Sequence, residues 1–223
     1  MKKIAVLTGA GISAESGIST FRDANGLWEN HDIMEVASPE GWMKNPGLVL
    51  QFYNQRRKQL KETEPNAAHY YLKNLEKNYD VVIITQNVDD LHERAGSSNI
   101  IHLHGELLKM RSEANESLIY NCEGDIQLGD LAEDGTQLRP HIVWFGELVP
   151  KLEEAKKAVE ACDVLLIIGT SLQVYPAASL IHYQESGKPI YLIDPNEVMA
   201  VPQMKNLTII QKSATEGVKD LPL

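Results

Sequence analysis

Cysteine is almost missing: Cys122 and Cys162 are the only two in 223 residues. Two thiols build neither a disulfide framework nor a four-thiolate metal site. Positive charge is also short. A formal net charge of -10 leaves no basic excess for nucleic acid or an anionic membrane surface, so no nucleic-acid and no membrane partner is expected. Long apolar runs are missing too, and no window approaches the roughly 18 residues of a membrane helix. The N-terminal "MKKIAVLTGAG" reaches glycine after a few apolar residues, too few for a signal sequence, and reads as a first strand. A cytoplasmic chain is expected.

What is present suits one large domain, or one domain with a small insertion. Hydrophobic residues make up 43% and charged residues 23%, enough apolar material for a sizeable core. Short β-branched runs recur at 3–9, 80–86, 99–105, 141–147, 163–171, 188–194 and 207–213. Most are continuous rather than alternating, the mark of strands buried on both faces. Helical stretches at 66–78, 152–162 and 176–187 lie between them. The pattern predicts an α/β fold with a doubly wound, mostly parallel, Rossmann-like sheet. Two segments break the alternation. Residues 28–65 read as helical with a break at Pro46 and Gly47, and 108–140 are polar without strong periodicity. Together they are expected to form a small inserted module, leaving 1–27, 66–107 and 141–223 as the sheet domain.

Chemistry gathers at the strand ends, which in open α/β sheets face the ligand crevice. In "TGAGISAESGISTFRD", Gly9, Gly11 and Ala14 match G-x-G-x-x-[G/A] after the first strand. That spacing lets backbone N–H groups approach a pyrophosphate at a helix N-terminus, although a plain tight turn shares it. A dinucleotide fold expects an acidic residue at a second strand end about 20 positions on, but that region, "LWENHDIMEV", shows no strand pattern, so a ribose must be held differently. Phe21 and Arg22 offer an aromatic face and a guanidinium instead, or a surface turn. Gln86, Asn87 and Asp89 end the 80–86 run, where a helix cap needs only one of them. His102 and His104 share a face by period two, and His104 stands nearer the C-terminal edge. Gly169, Thr170 and Ser171 end another strand, and Asn196 and Glu197 follow the next.

These stretches, with "HLHG" and "IVWFGE", together resemble the sirtuins, the NAD-dependent protein lysine deacylases, from Lys3 to about Ala214. The chain looks most like bacterial members of the branch that also removes succinyl and malonyl groups. The resemblance implies NAD as cofactor and acylated-lysine proteins as partners. In that family the acyl-lysine oxygen attacks the anomeric carbon, nicotinamide leaves, a histidine acts as base, and the acyl group ends on ADP-ribose.

His104 matches that base, and an imidazole titrating near neutrality suits the role. Asn87 and Asp89 are implied as its catalytic companions, positioning the nicotinamide ribose and carboxamide. The resemblance places Gly9, Ala10, Gly11, Ser13, Phe21, Arg22, Trp28, Gln86 and Val88 on the cofactor. It adds Gly169, Thr170, Ser171, Pro195, Asn196, Glu197 and Ala214. Val143, Phe145, Gly146 and Val174 would sandwich the substrate peptide as an added strand. "FYNQRR" holds the Y-x-x-R pair of the acidic-acyl branch, and Tyr53 and Arg56, at i and i+3, share a helix face.

One departure stands out. Sirtuins usually bind a structural zinc through four cysteines after "HGE", but here Ser112 falls about where the first belongs and only Cys122 follows in 108–140. No metal is expected, and Leu118, Ile119, Tyr120 and Leu128 are expected to pack the module instead. Mono-ADP-ribosyl transfer and a non-catalytic NAD- or acyl-lysine-binding module stay open as alternatives. Asn87, Asp89 and His104 would be dispensable in a module that only binds.

Overall fold

The computed structural model describes residues 1–19, 31–198 and 204–223, together with the backbone of 27 and 28. In chain order the elements begin with β1 (Lys3–Thr8), α1 (Ala10–Ala14), β2 (Leu27–Trp28), β3 (His31–Asp32) and α2 (Ile33–Val36). Next come α3 (Pro39–Lys44), α4 (Pro46–Lys61), α5 (Ala67–Leu75), β4 (Asp80–Thr85), α6 (Leu91–Arg94) and β5 (Ile100–His102). Then follow β6 (Gly105–Ser112), β7 (Ile119–Asn121), β8 (Leu138–Ile142), α7 (Leu152–Ala161), β9 (Val164–Ile168), β10 (Ile190–Ile193), β11 (Leu207–Ile210) and α8 (Ala214–Gly217).

Six strands form a parallel sheet in the order β11-β10-β9-β1-β4-β5. Alternate residues of its central strands enter different cores. Ala5, Leu7, Leu165 and Ile167 pack with Val159 of α7 and Leu180 on one face. Ile4, Val6, Leu166 and Ile168 pack with Leu72 of α5 and Val218 on the other. Burial on both faces explains the continuous apolar runs. Among the described residues no helix is long and apolar enough to cross a membrane.

A third core joins Val36, Trp42, Phe52, Tyr53 and Leu60 of α2–α4 with Leu107, Cys122, Ile126, Leu138 and Trp144. It lies beside a second sheet, antiparallel, of order β7-β6-β8. Three local expectations need correction here, and a fourth holds. The run at 141–147 is not a strand of the main sheet; its start completes β8, which pairs with β6. Pro140 fits there because β8 is an edge strand, where a missing N–H costs no ladder bond. The break expected at Pro46 is present: α3 ends at Lys44, and Pro46 opens α4 at its first position, capped by Asn45 Oδ1 accepting from Leu48 N at 3.1 Å. The 176–187 helix is a 3-10 helix over Ala177–Tyr183. A short β2–β3 ladder stands within "LWENHDIMEV", where no strand was expected.

Packing of the small sheet also differs from expectation. Ile119 and Leu128 are exposed and Leu118 and Tyr120 half-buried, while Cys122, Ile126, Ala132 and Leu138 fill the core. Ser112 is fully buried and ties the end of β6. Its hydroxyl donates to Asp134 Oδ2 at 2.6 Å and accepts from Ala114 N and Asn115 N at 3.1 and 2.9 Å.

Candidate active site

The C-terminal ends of β1, β4, β5 and β9 open into a cavity of about 860 Å³, closed on its other side by α4 and the 142–147 segment. The glycines place its walls. A Cβ on Gly11 would stand 2.6 Å from Gly169 Cα, so the β1–α1 and post-β9 loops touch only because both lack side chains there. Gly9 N–H and Gly11 N–H donate to Ile168 and Gly169 carbonyls at 3.1 and 2.9 Å. These two amides serve the loop contact itself rather than a ligand.

Ser13 is the hinge of the polar floor. Its fully buried hydroxyl donates to Asp89 Oδ2 at 3.0 Å and accepts from Asn87 Nδ2 at 3.1 Å. Asp89 Oδ1 also accepts from Leu91 N at 3.2 Å, so this carboxylate both satisfies the first amide of α6 and holds Ser13. Burial pushes the Asp89 carboxyl above its ordinary range, against the opposing hydrogen bonds from Leu91 and Ser13. From α5, Asn66 Nδ2 donates to Ile12 O at 2.8 Å and Ser16 Oγ at 3.0 Å, fastening α1 beneath this group.

His104 lies two residues past the end of β5 and lines the cavity. Gly105 follows at φ +83, its α-carbon so close to β8 that a Cβ would sit 2.0 Å from His141 O. His104 Nδ1 lies 3.0 Å from Gln86 O. A carbonyl only accepts, so the Nδ1 position holds the hydrogen and Nε2 keeps a lone pair. Burial holds the ring's pKa below the ordinary histidine value, only partly offset by the Gln86 carbonyl. His102, the other histidine of the motif, bonds Glu93 Oε1 through Nε2 at 2.6 Å and is not a lining residue.

Gln86 in turn reaches Thr170 Oγ1 at 3.1 Å, linking two strand ends. Gly9, Ala10, Gly11, Ser13, Asn87, Val88, Gly169, Ser171, Pro195, Asn196 and Ala214 share the cavity wall with them. Glu197 is exposed and stands outside that lining. Phe21, Arg22 and the Trp28 side chain lie outside the described residues.

Across the cavity, Tyr53 and Arg56 line the wall from α4, with Val143, Phe145, Gly146 and Val174 nearby. Tyr53 is fully buried, and burial raises its phenol pKa far above the usual value. Trp144 Nε1 donates to Tyr53 Oη at 3.1 Å. The sequence places "VWFGE" on the substrate peptide but does not single out Trp144 or its bond to Tyr53. Nor does it single out Glu15, whose carboxylate accepts from Ser213 Oγ at 3.0 Å and Thr215 N at 2.9 Å, fixing the Ala214 end of the cavity.

The Sir2 family pattern matches residues 9–176, which include the glycine loop, the Asn87–Asp89 group and His104. The chain belongs to the Sir2 family. Over 222 residues it is 63% identical to an NAD-dependent protein deacylase of Helicobacter pylori, covering 99% of this chain and 96% of that one. A protein of the same description from Bacteroides thetaiotaomicron is 55% identical over 227 residues, covering 99% and 97%. A solved Sir2 homologue in complex with NAD superposes with TM-score 0.86 at 40% identity, over 97% of this chain and 86% of that one. A Sir2 complex with a deacetylated p53 peptide and 3'-O-acetyl ADP-ribose superposes with TM-score 0.79 at 29% identity, covering 97% and 90%.

The described residues do not fit the usual Sir2 zinc. Among the described residues no group of three His, Cys, Asp or Glu side chains could hold a metal ion. Ser112 and its hydrogen bonds occupy the start of that segment.

Proposed function

We propose that this protein is an NAD-dependent protein lysine deacylase that acts on acetyl-lysine and on acidic acyl-lysines such as succinyl- and malonyl-lysine. One observation carries the reading: His104, its Nδ1–H held by Gln86, shares a cavity with the Ser13–Asn87–Asp89 group and with Tyr53 and Arg56. NAD, when bound, supplies a glycosidic bond from which nicotinamide departs.

The chain's own residues divide the remaining work. Asn87 and Asp89, locked by Ser13, orient the carboxamide and ribose end. Gly9, Ala10, Gly11, Gln86, Val88, Gly169, Thr170, Ser171, Pro195, Asn196 and Ala214 form the cofactor wall, to which Phe21, Arg22, Trp28 and Glu197 are assigned by family resemblance alone. His104 Nε2 takes a proton from a ribose hydroxyl, a task suited to an imidazole that stays neutral at working pH. Val143, Phe145, Gly146 and Val174 hold the substrate backbone. Arg56 meets an acyl carboxylate with a charge-assisted bond and Tyr53 adds a hydroxyl. Two buried free thiols suit a reducing, cytoplasmic setting, which is part of the proposal.

Mass spectrometry of acetyl- and succinyl-lysine peptides, incubated with protein with and without NAD, tests the reading. NAD-dependent loss of both acyl masses supports it. Intact acetyl-lysine in the presence of NAD overturns it, and loss of acetyl alone removes the acidic-acyl part.

A further inference from the structure

Tyr53 is held by a residue from the opposite wall. Trp144 Nε1–H donates to Tyr53 Oη at 3.1 Å, with both side chains buried. An oxygen that accepts from an indole points its own hydrogen away from that ring. Trp144 is itself fixed from three sides. Its backbone N–H donates to Glu147 Oε2 at 2.8 Å, and the Arg139 guanidinium lies 3.3 Å from the centroid of its ring. Arg139 then grips Glu147 through NH1 at 2.7 Å and NH2 at 3.2 Å, a bidentate pair. Trp42 packs on the same indole at 5.6 Å between centroids. These contacts hold the indole in its pose, and its N–H keeps the Tyr53 oxygen as an acceptor.

We propose that Trp144 is a positioning residue for acyl selectivity, holding Tyr53 as an acceptor so that its O–H is presented to an acyl carboxylate in the cavity. The proposal rests on the acidic-acyl reading of Tyr53 and Arg56. An acetyl group has no carboxylate to receive that hydrogen, so Trp144 distinguishes the two substrates without touching either acyl oxygen. The selectivity is thus written partly in the 143–147 segment, next to the residues assigned to the substrate backbone.

The test is a double-mutant cycle of Trp144→Phe and Tyr53→Phe, read as the ratio of succinyl to acetyl kcat/KM. A ratio taken within one preparation is unaffected by any fraction that fails to fold. Trp144→Phe is expected to lower the ratio about fivefold or more, the size of one hydrogen bond, with the succinyl loss mainly in KM. Tyr53→Phe should lower it at least as far, and the double variant no further than Tyr53→Phe alone, because one interaction is removed twice. A ratio within about twofold of wild type in Trp144→Phe overturns the proposal. So does a double variant whose loss is the product of the single losses. A wild-type enzyme that deacetylates but does not desuccinylate overturns the acidic-acyl reading itself, and this proposal with it.

Discussion

His104 Nδ1 lies 3.0 Å from the carbonyl oxygen of Gln86, and the ring's pKa is held below the ordinary histidine value by burial. Its Nε2 lone pair is therefore available as a base at neutral pH. His104→Ala is expected to cut turnover roughly 10²–10⁴-fold while NAD still binds. Activity needs the neutral ring, so it falls as pH drops through the folded pKa. The acid limb of kcat/KM should be centred below about 6.5, the ordinary histidine value. Near wild-type turnover of His104→Ala at saturating NAD would remove the assignment.

A second pair of histidines lies under the site and governs stability. His69 and His92 are buried with ring centroids 4.9 Å apart, and His92 Nε2 lies 3.1 Å from Thr8 Oγ1. Burial pushes His69 down to about 4 and His92 well below its usual value, where the neighbouring His69 and His102 add to the shift. The unfolded rings titrate near 6.5, so between about 4 and 6.5 the unfolded chain binds more protons and stability falls as pH falls. For His69 alone the difference is about 3 kcal/mol. His102 acts oppositely, since the Glu93 hydrogen bond and charge outweigh its burial and raise its pKa. The melting temperature should drop from pH 7 to 5. His69→Gln, which keeps a side-chain acceptor for Asn66 N, should flatten that profile. An unchanged slope in His69→Gln would contradict the account.

Ser112 ties the end of β6 by hydrogen bonds, in the segment where the family resemblance would place the first zinc cysteine. Purified protein is expected to hold no stoichiometric zinc by elemental analysis, and chelators should neither unfold nor inhibit it. Ser112→Ala strips the buried hydroxyl that joins β6 to the 114–115 turn and should cost about 1–3 kcal/mol in denaturant unfolding. One tightly bound zinc per chain, or chelator-induced unfolding, would contradict both statements.

Tyr53 and Arg56 carry the acyl prediction. A charge-assisted hydrogen bond from Arg56 is worth about 1.5–3 kcal/mol, roughly 10- to 150-fold in affinity, and an unpaired carboxylate in a poorly solvated tunnel is costly. Tyr53→Phe with Arg56→Met should lower the succinyl-to-acetyl ratio of kcat/KM at least about tenfold. Equal losses on matched peptides would make the pair structural.

The parallel sheet was legible because its strands are buried on both faces, and runs such as "DVLLIIG" have no other economical home. The antiparallel sheet was not. β6 mixes Leu107 with Lys109 and Arg111, and β8 contains Pro140, so neither shows a clean period. Glycine spacing located the β1–α1 loop but not that Gly9 and Gly11 N–H groups bond to the β9 end, a partnership fixed only by the sheet order. Period two left His102 and His104 equivalent. The chain leaves the sheet after His102, and Gly105 at φ +83 turns it toward β8, which is what separates their roles. The partnership of Trp144 was not legible because Tyr53 and Arg139 are 91 and 5 positions away, and only tertiary packing brings Tyr53 to it.

The most direct test follows the acyl group itself. Acetyl-lysine peptide carrying a labelled acetyl group is incubated with the protein and NAD, and every product is quantified by mass spectrometry. The account predicts one deacylated peptide, one nicotinamide and one labelled O-acetyl-ADP-ribose per turnover, with none formed without NAD. Free labelled acetate as the primary product, or ADP-ribose attached to a peptide that keeps its acetyl group, would contradict it.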